Sequence, residues 1–509
     1  MDTLGHCAIP LGRDTLNNYG WRILLVLSSL MLAGILATSL SGCSWGSSNA
    51  PVPTQVPASG AGNVSVPPQI PATGTGSVPL PPQVAASGTG GAIFAWLDGI
   101  ISGNLYAQNV DADGNLAWGD EGKLICDETS NPKFPLIASD GLGGAFISWD
   151  SLKDGKSMLA HVDARGEILW QNDISNAGWW YSGVSDSSGG VIMVFCANAG
   201  PMSIHRANGD GRLLWGEDGI VISQAVSGLD LVGDGSGGAV VVWQEAVWQD
   251  NGGINTSING QMINSEGQLL WTDKGLAVAD SNTDQSDPQL LASEDGNFII
   301  AWLKSSLKGG NYNNNDIYAQ KISRQGERLW GNEGIPICTS TGNQCHQRLA
   351  TDGEGGCIVV WDDDRNFSPR PRSEVYAQHV ASDGTCLWNA NGTLVWSRKY
   401  SSSDTFSYSP RDEQVISDNM GGAVFMWNNL NEGNLLAQRV DPNGNPLWSG
   451  EGVGVSDPPV NMGGPFRMVS DGKGGAIIGA TVEKNQQRAQ RISQAGELLW
   501  GKPGIAVVR

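Results

Sequence analysis

One phrase recurs too often in this chain to be a binding motif. Pro135 to Trp149 reads PLIASDGLGGAFISW, an apolar stretch, an Asp-Gly turn and a second apolar stretch ending in tryptophan. The same register appears at Pro82 to Trp96 and again before Trp243, Trp302, Trp361 and Trp427, with Phe195 and Ala480 standing at the equivalent position in two further copies. A second tryptophan follows in every copy, at Trp118, Trp170, Trp215, Trp271, Trp330, Trp388, Trp448 and Trp500. The copies are 45 to 66 residues apart and number eight. A unit of this length carries four strand-like pieces: LIAS (a), GAFISW (b), LYAQNVD (c) and NLAW (d). Four short antiparallel strands per repeat describe a β-propeller blade, which cannot bury both faces alone and is stable only when stacked.

The expected fold is therefore all-β: a single eight-bladed propeller over residues 82–509, with four antiparallel strands per blade. The blades run about 82–134, 135–180, 181–228, 229–287, 288–346, 347–412, 413–465 and 466–509. Two four-bladed propellers or an open solenoid are the alternatives. No linker-like break interrupts Pro82 to Arg509, which favours one ring. The array starts with strand a and ends with strand d, so no strand exchange between its ends is expected to close the ring.

Composition agrees. There are 70 glycines and 20 tryptophans, and charged residues make up only 16%, a balance suited to tight turns between short strands. The formal charge of −21 disfavours nucleic acid and anionic lipid surfaces as partners.

Ahead of the repeats, Ile23 to Leu40 is apolar and is preceded by Arg13 and Arg22. It runs into Leu40-Ser41-Gly42-Cys43. This order resembles the lipobox of bacterial lipoproteins, which implies a signal peptide over 1–42 and lipidation (a diacylglyceryl group and palmitate-type acyl chains) of Cys43. The alternative is an uncleaved anchor helix, since the run is just long enough to span a bilayer. Residues 43–81 are rich in Pro, Gly, Ser and Thr and are expected to form a solvated tether. On this resemblance the propeller is extracytoplasmic, held at the cell envelope by its N-terminal lipid, on an outer membrane or a cell surface according to cell type.

Recurrent polar residues are expected to be scaffold. Gln108, Gln261, Gln320, Gln378, Gln438 and Gln490 share one strand-c position, replaced by Ala160 and His205 in the other two units. A residue used that often satisfies backbone groups. Asp140, Asp186, Asp234, Asp352, Asp418 and Asp471 sit at the a–b turn, where a carboxylate can cap amides. Calcium is the sharper reading, prompted by DADGN at Asp111 to Asn115, although the further oxygen ligands and closing glutamate of an EF-hand are missing. No other cofactor is indicated.

The phrase from Val110 to Trp118 also resembles the tryptophan-docking repeat of quinoprotein propellers, in which Asp or Asn and then Gly precede a Trp that packs on the neighbouring blade. Asp441, Gly444 and Trp448 match likewise. That family is typically eight-bladed. It includes quinone-dependent dehydrogenases, whose adjacent cysteine pair is missing from this chain, and the propeller lipoprotein of the barrel-assembly machinery. The whole phrase, GGAIVVW through YAQRVD, is similar to that of uncharacterised secreted bacterial repeat proteins.

Strand alternation puts the short a–b and c–d turns on one face and the b–c and d–a loops, which hold all the long insertions, on the other. Length variation confined to one face marks the candidate binding surface. It carries Trp179, Trp180, Trp248, Tyr312, Asp362, Asp363, Asp364, Arg365, Phe367, Arg370, Tyr400 and Tyr408. Aromatic planes beside carboxylates and guanidinium groups can stack on a glycan or grip an envelope protein; they can equally pin long loops to the rim. No catalytic constellation is legible: the carboxylates are candidates for a carbohydrate-cleaving site by location alone, and the five histidines lack metal-ligand spacing. Among the cysteines, Cys338 and Cys345 flank one interblade loop and are the best candidate disulfide, with buried free thiols the alternative for the rest.

Overall fold

The computed structural model describes residues 82–99, 103–175, 179–196, 201–223, 227–248, 254–280, 283–305, 314–366, 374–397, 411–429, 434–450, 452–455, 466–482 and 486–508. They form eight four-stranded sheets, each built from four consecutive antiparallel strands, and constitute an eight-bladed β-propeller. The innermost strand of each blade, strand a, packs against strand a of the blades on either side. The cycle is complete, because Gln83–Ala86 of blade 1 also meets Phe466–Ser470 of blade 8.

The core lies between blades. Strand-b tryptophans Trp149, Trp243, Trp302, Trp361 and Trp427 are all buried, alongside branched aliphatic residues of the facing sheet. Alternate residues of strand b face opposite neighbours, so both sides of each sheet are apolar; burial of each such side chain contributes roughly 1.5–3 kcal/mol.

Strand d differs from the sequence expectation. In blade 1 the NLAW phrase makes only an isolated bridge, Val110 to Leu116, and the fourth ladder strand is Lys123–Cys126, beyond the tryptophan. The chain leaves strand c at the turn, swings its tryptophan onto the next blade, and rejoins strand c afterwards. Blade 2 is the exception: Ile168–Ser175 pairs straight through Trp170.

In six blades the recurrent glutamine holds the detour in place. Gln108 accepts from the Trp118 amide (2.9 Å) and donates to the Gly119 carbonyl (2.6 Å), holding both backbone groups that the swing takes out of the ladder. Gln261, Gln320, Gln378, Gln438 and Gln490 make the same two bonds in their own blades. Blade 2, where Ala160 stands at this position, pairs Ala160 with Gln171 in the ladder and has no detour to hold.

Every strand-d indole then docks on the next blade. Trp118, Trp170, Trp215, Trp271, Trp330, Trp388 and Trp448 donate from Nε1 to the second residue of the following blade's c–d turn, at 2.6 to 3.2 Å. Trp500 donates to Ala112 of blade 1 at 3.2 Å and closes the ring. The turn glycine makes room for the indole. Gly114 has φ +88°, and a Cβ there would stand 2.9 Å from Trp500 Cδ1.

The a–b turn aspartates cap amides as expected of turn residues: Asp140 accepts from the Leu142 and Gly144 amides. They also meet a histidine or arginine from strand c, which sequence reading missed. Asp140–His161, Asp186–Arg206, Asp352–His379, Asp418–Arg439 and Asp471–Arg491 are buried pairs at 2.8 to 3.1 Å. Each of these side chains also reaches the carbonyl that the docked indole uses, as Arg491 does at Ala112 (2.8 Å). The signal was present in the sequence as the residue that follows the strand-c glutamine position. Asp111 of the c–d turn is likewise occupied by its own turn, accepting from the Asp113 and Asn115 amides and from the Asn115 side chain.

Candidate functional site

The turn face is thus committed to joining blades, and the opposite face is where long connections lie. Of the residues placed there from sequence, Tyr312, Phe367, Arg370, Tyr400 and Tyr408 fall outside the described residues, as does Cys43. Trp179 and Trp180 lie in strand a of blade 3, paired with Cys196 and Phe195. Trp248 ends strand b of blade 4, opposite Ile254.

Asp363 and Arg365 come together in blade 6. Asp363 is fully buried and accepts from Trp361 Nε1 (2.8 Å), from the Arg365 guanidinium (2.5 Å) and from the Arg365 amide (2.9 Å). The guanidinium also donates to the Asn391 carbonyl (2.7 Å) and lies 3.9 Å from the centre of the Tyr376 ring. This network pins the b–c connection to the blade instead of presenting charge to a ligand. Burial, reinforced by neighbouring Asp363 and offset in part by the Asn343 amide, raises the Asp364 carboxyl above its usual range.

The expected Cys338–Cys345 disulfide is not formed. Cys338 is a free thiol turned into the blade-6 network, with its sulfur 3.7 Å from Asp363 and 3.2 Å from the Arg365 guanidinium. Burial pushes that thiol up to about 12, so it stays protonated. Cys345 is paired with Asp362 across strands a and b of blade 6. Ligand atoms of Cys345, His346 and Asp362 lie within 4.8 Å of one another. Asp362 in this group already meets His346 Nδ1 at 3.0 Å, and the cluster needs no ion to hold it.

A second set of polar groups lies on the axis, and sequence reading missed it. The strand-a residue paired with the one preceding the strand-b tryptophan position is Gln83, Leu136, Ser182, Asp230, Gln289, Arg348, Gln414 and Arg467 around the ring. Seven of these eight are polar, and all are buried. The next two positions of the same strands are apolar or glycine, as in Leu231-Val232 and Leu349-Ala350. Their bonds run to strand-a backbone. Asp230 accepts from the Leu231 and Leu290 amides, Gln414 donates to the Phe466 carbonyl, and Arg467 and Arg348 donate to the Phe466 and Gln347 carbonyls. Burial, opposed by the two amides and by Arg348, pushes the Asp230 carboxyl up to about 7.

Most of these strands bend where they approach this ring. The ladder slips between Lys133 and Leu136, Ser227 and Leu229, Ser286 and Gln289, Cys345 and Arg348, and Arg411 and Gln414. At three such bulges a non-glycine residue takes positive φ: Phe134 (50°), Asp287 (53°) and His346 (55°). Bulges re-aim the following side chain and are found at rims and sites. They also let strand a begin two or three residues earlier than the repeat phrase implied, at Pro132 in blade 2 and Gln344 in blade 6.

Neither a family model nor a curated protein matches this chain. Solved structures similar to it include the polysaccharide lyase Uly1 (7% identity, 69% of this chain and 88% of that chain, TM-score 0.43). An α-L-arabinanase of Penicillium chrysogenum complexed with arabinobiose is 12% identical over 60% of this chain and 90% of its own, with a TM-score of 0.32. A fucose-specific lectin from Aleuria aurantia is 13% identical over 61% and 89%, also with a TM-score of 0.32. Likeness at this level carries no argument about activity.

Proposed function

We propose that this chain is a lipid-anchored envelope protein whose propeller binds an envelope protein or glycan on its b–c and d–a loop face, without catalysis. The carrying observation is the division of labour between the faces. Every c–d turn is occupied by an indole of the preceding blade, whereas the long and unequal connections are all on the other side. The lipobox-like order ending at Cys43 and the Pro/Gly/Ser-rich composition of 43–81 support anchoring through an N-terminal lipid. The docked tryptophans support the likeness to tryptophan-docking propellers at the level of architecture. Among the described residues no helix is long and apolar enough to cross a membrane.

One observation favours a second reading, a carbohydrate-cleaving enzyme: burial pushes Asp150 on this face up to about 7, the range a general acid needs. A glycan array combined with a hydrolysis and elimination screen separates the two. Binding without turnover supports the module; turnover abolished by Asp150→Asn overturns it. Anchoring is tested by palmitate labelling, which should be lost in Cys43→Ala and would be equal in both chains if the lipobox were not used.

A further inference from the structure

We propose that the axial ring of strand a is a binding site for a small hydroxycarboxylate, taken in the arc of blades 6 to 8. This goes beyond the loop-face reading and does not depend on it. Three observations carry it.

Charge is the first. In a chain of net charge −21 the ring gathers two guanidinium groups, Arg348 and Arg467, against the single carboxyl of Asp230. Guanidinium forks match carboxylates in a bidentate way, and at a buried site such a pair is far stronger than at the surface.

Placement is the second. Gln414 of blade 7 stands between the two arginines in ring order, and its side-chain amide donates to the same Phe466 carbonyl (2.8 Å) that Arg467 uses (2.9 Å). The amide of Gln414 and the guanidinium of Arg467 are therefore neighbours.

Unused bonding capacity is the third. Gln414 Oε1 is buried and accepts no hydrogen bond from any described residue; Gln347 Oε1 is likewise unmet, its amide donating to the Asp287 carbonyl of blade 5. Across the ring, Ser182 Oγ is also buried without a described partner. A buried acceptor left unmade costs about 1–3 kcal/mol, so acceptors that persist at a polar site call for a donor from outside the chain. Guanidinium donors beside amide acceptors match a carboxylate that carries hydroxyl groups. A simple oxyanion such as phosphate would use the arginines and leave the amide oxygens facing acceptors.

The test uses the full-length chain and isothermal titration with D-galacturonate, D-glucuronate, glucose and inorganic phosphate. The uronates should bind, glucose and phosphate should bind at least tenfold more weakly, and Arg348→Lys or Arg467→Lys should weaken the uronates at least tenfold. Gln414→Glu guards against variants that merely fail to fold. A carboxylate placed by the protein itself beside the Arg467 guanidinium should raise the melting temperature and abolish uronate binding. Lack of uronate binding to the wild type overturns the site. So does equal binding of glucose, or of phosphate, or a Gln414→Glu chain that melts lower and still binds.

Discussion

Asp150 and Asp362 hold the same place in their repeats, one residue after the strand-b tryptophan, yet their surroundings differ. Asp362 faces His346 at 3.0 Å, whereas Asp150 has Ser157 at 2.8 Å and burial that pushes it up to about 7. The unfolded carboxyl titrates near 3.8, so between that value and 7 the folded state holds the extra proton. Stability contributed by the protonated form is therefore present below pH 3.8 and is lost as pH rises towards 7. Asp150→Asn should remove this loss. In urea unfolding, the variant should gain roughly 2–4 kcal/mol on wild type between pH 4 and pH 8; parallel pH profiles would refute the assignment. Nothing in the sequence separates these two aspartates, because burial is set by strands distant in the chain. Asp363 and Arg365 teach the same lesson: their types and location were legible, but their mutual ion pair and burial were not.

At the scale of the element, the blade was legible because hydrophobic alternation and glycine turns act locally. The fourth strand was misread because two forces compete there. Ladder pairing would run NLAW straight along strand c, as blade 2 does, while indole docking pulls it off. In six blades the glutamine holds the docked outcome, and it was visible in sequence as a six-fold recurrence without its consequence; blade 3 takes the same detour with His205 at that position. Gln320→Leu should strand the Trp330 amide and the Gly331 carbonyl and cost roughly 2–4 kcal/mol in denaturant unfolding. Ala160→Leu at the same position of blade 2, where no clamp exists, should cost only through packing. If hydrogen exchange at Trp330 is unchanged in Gln320→Leu, the clamp does not hold that strand.

For the whole molecule, the count of eight and the assignment of faces followed from periodicity, whereas closure did not. It depends on contacts between the first and last blades, which no local pattern reports. The seam between blades 8 and 1 uses the same parts as the others: the Trp500 indole and the Arg491 guanidinium on the Ala112 carbonyl, with Asp471 holding the arginine. Trp500→Ala should therefore cost about as much as an interior substitution such as Trp271→Ala, roughly 3–5 kcal/mol. The two should differ in where protease first cuts. Trp500→Ala frees both ends of the array, so cleavage should begin in blades 1 and 8, while Trp271→Ala should expose blades 4 and 5. Identical early fragments from the two variants would contradict a seam held by the docked indole. The axial ring was also beyond reach of the sequence, since Gln83, Asp230, Arg348 and Arg467 share nothing until register lines them up.

A ring that shares no strand between its first and last blades has no privileged starting point. Each sheet is one uninterrupted segment, and each seam is closed by the same indole, so the order of blades around the circle is independent of where the chain is opened. A chain rejoined from residue 508 to residue 82 and reopened at another d–a connection keeps every sheet and every seam. A whole unit, gained or lost by recombination between the near-identical Asp-Gly-x-Gly-Gly turns, leaves complete blades behind. Such an architecture changes its circumference by integers, and each change moves the axial arginines to new distances while the staples stay as they are.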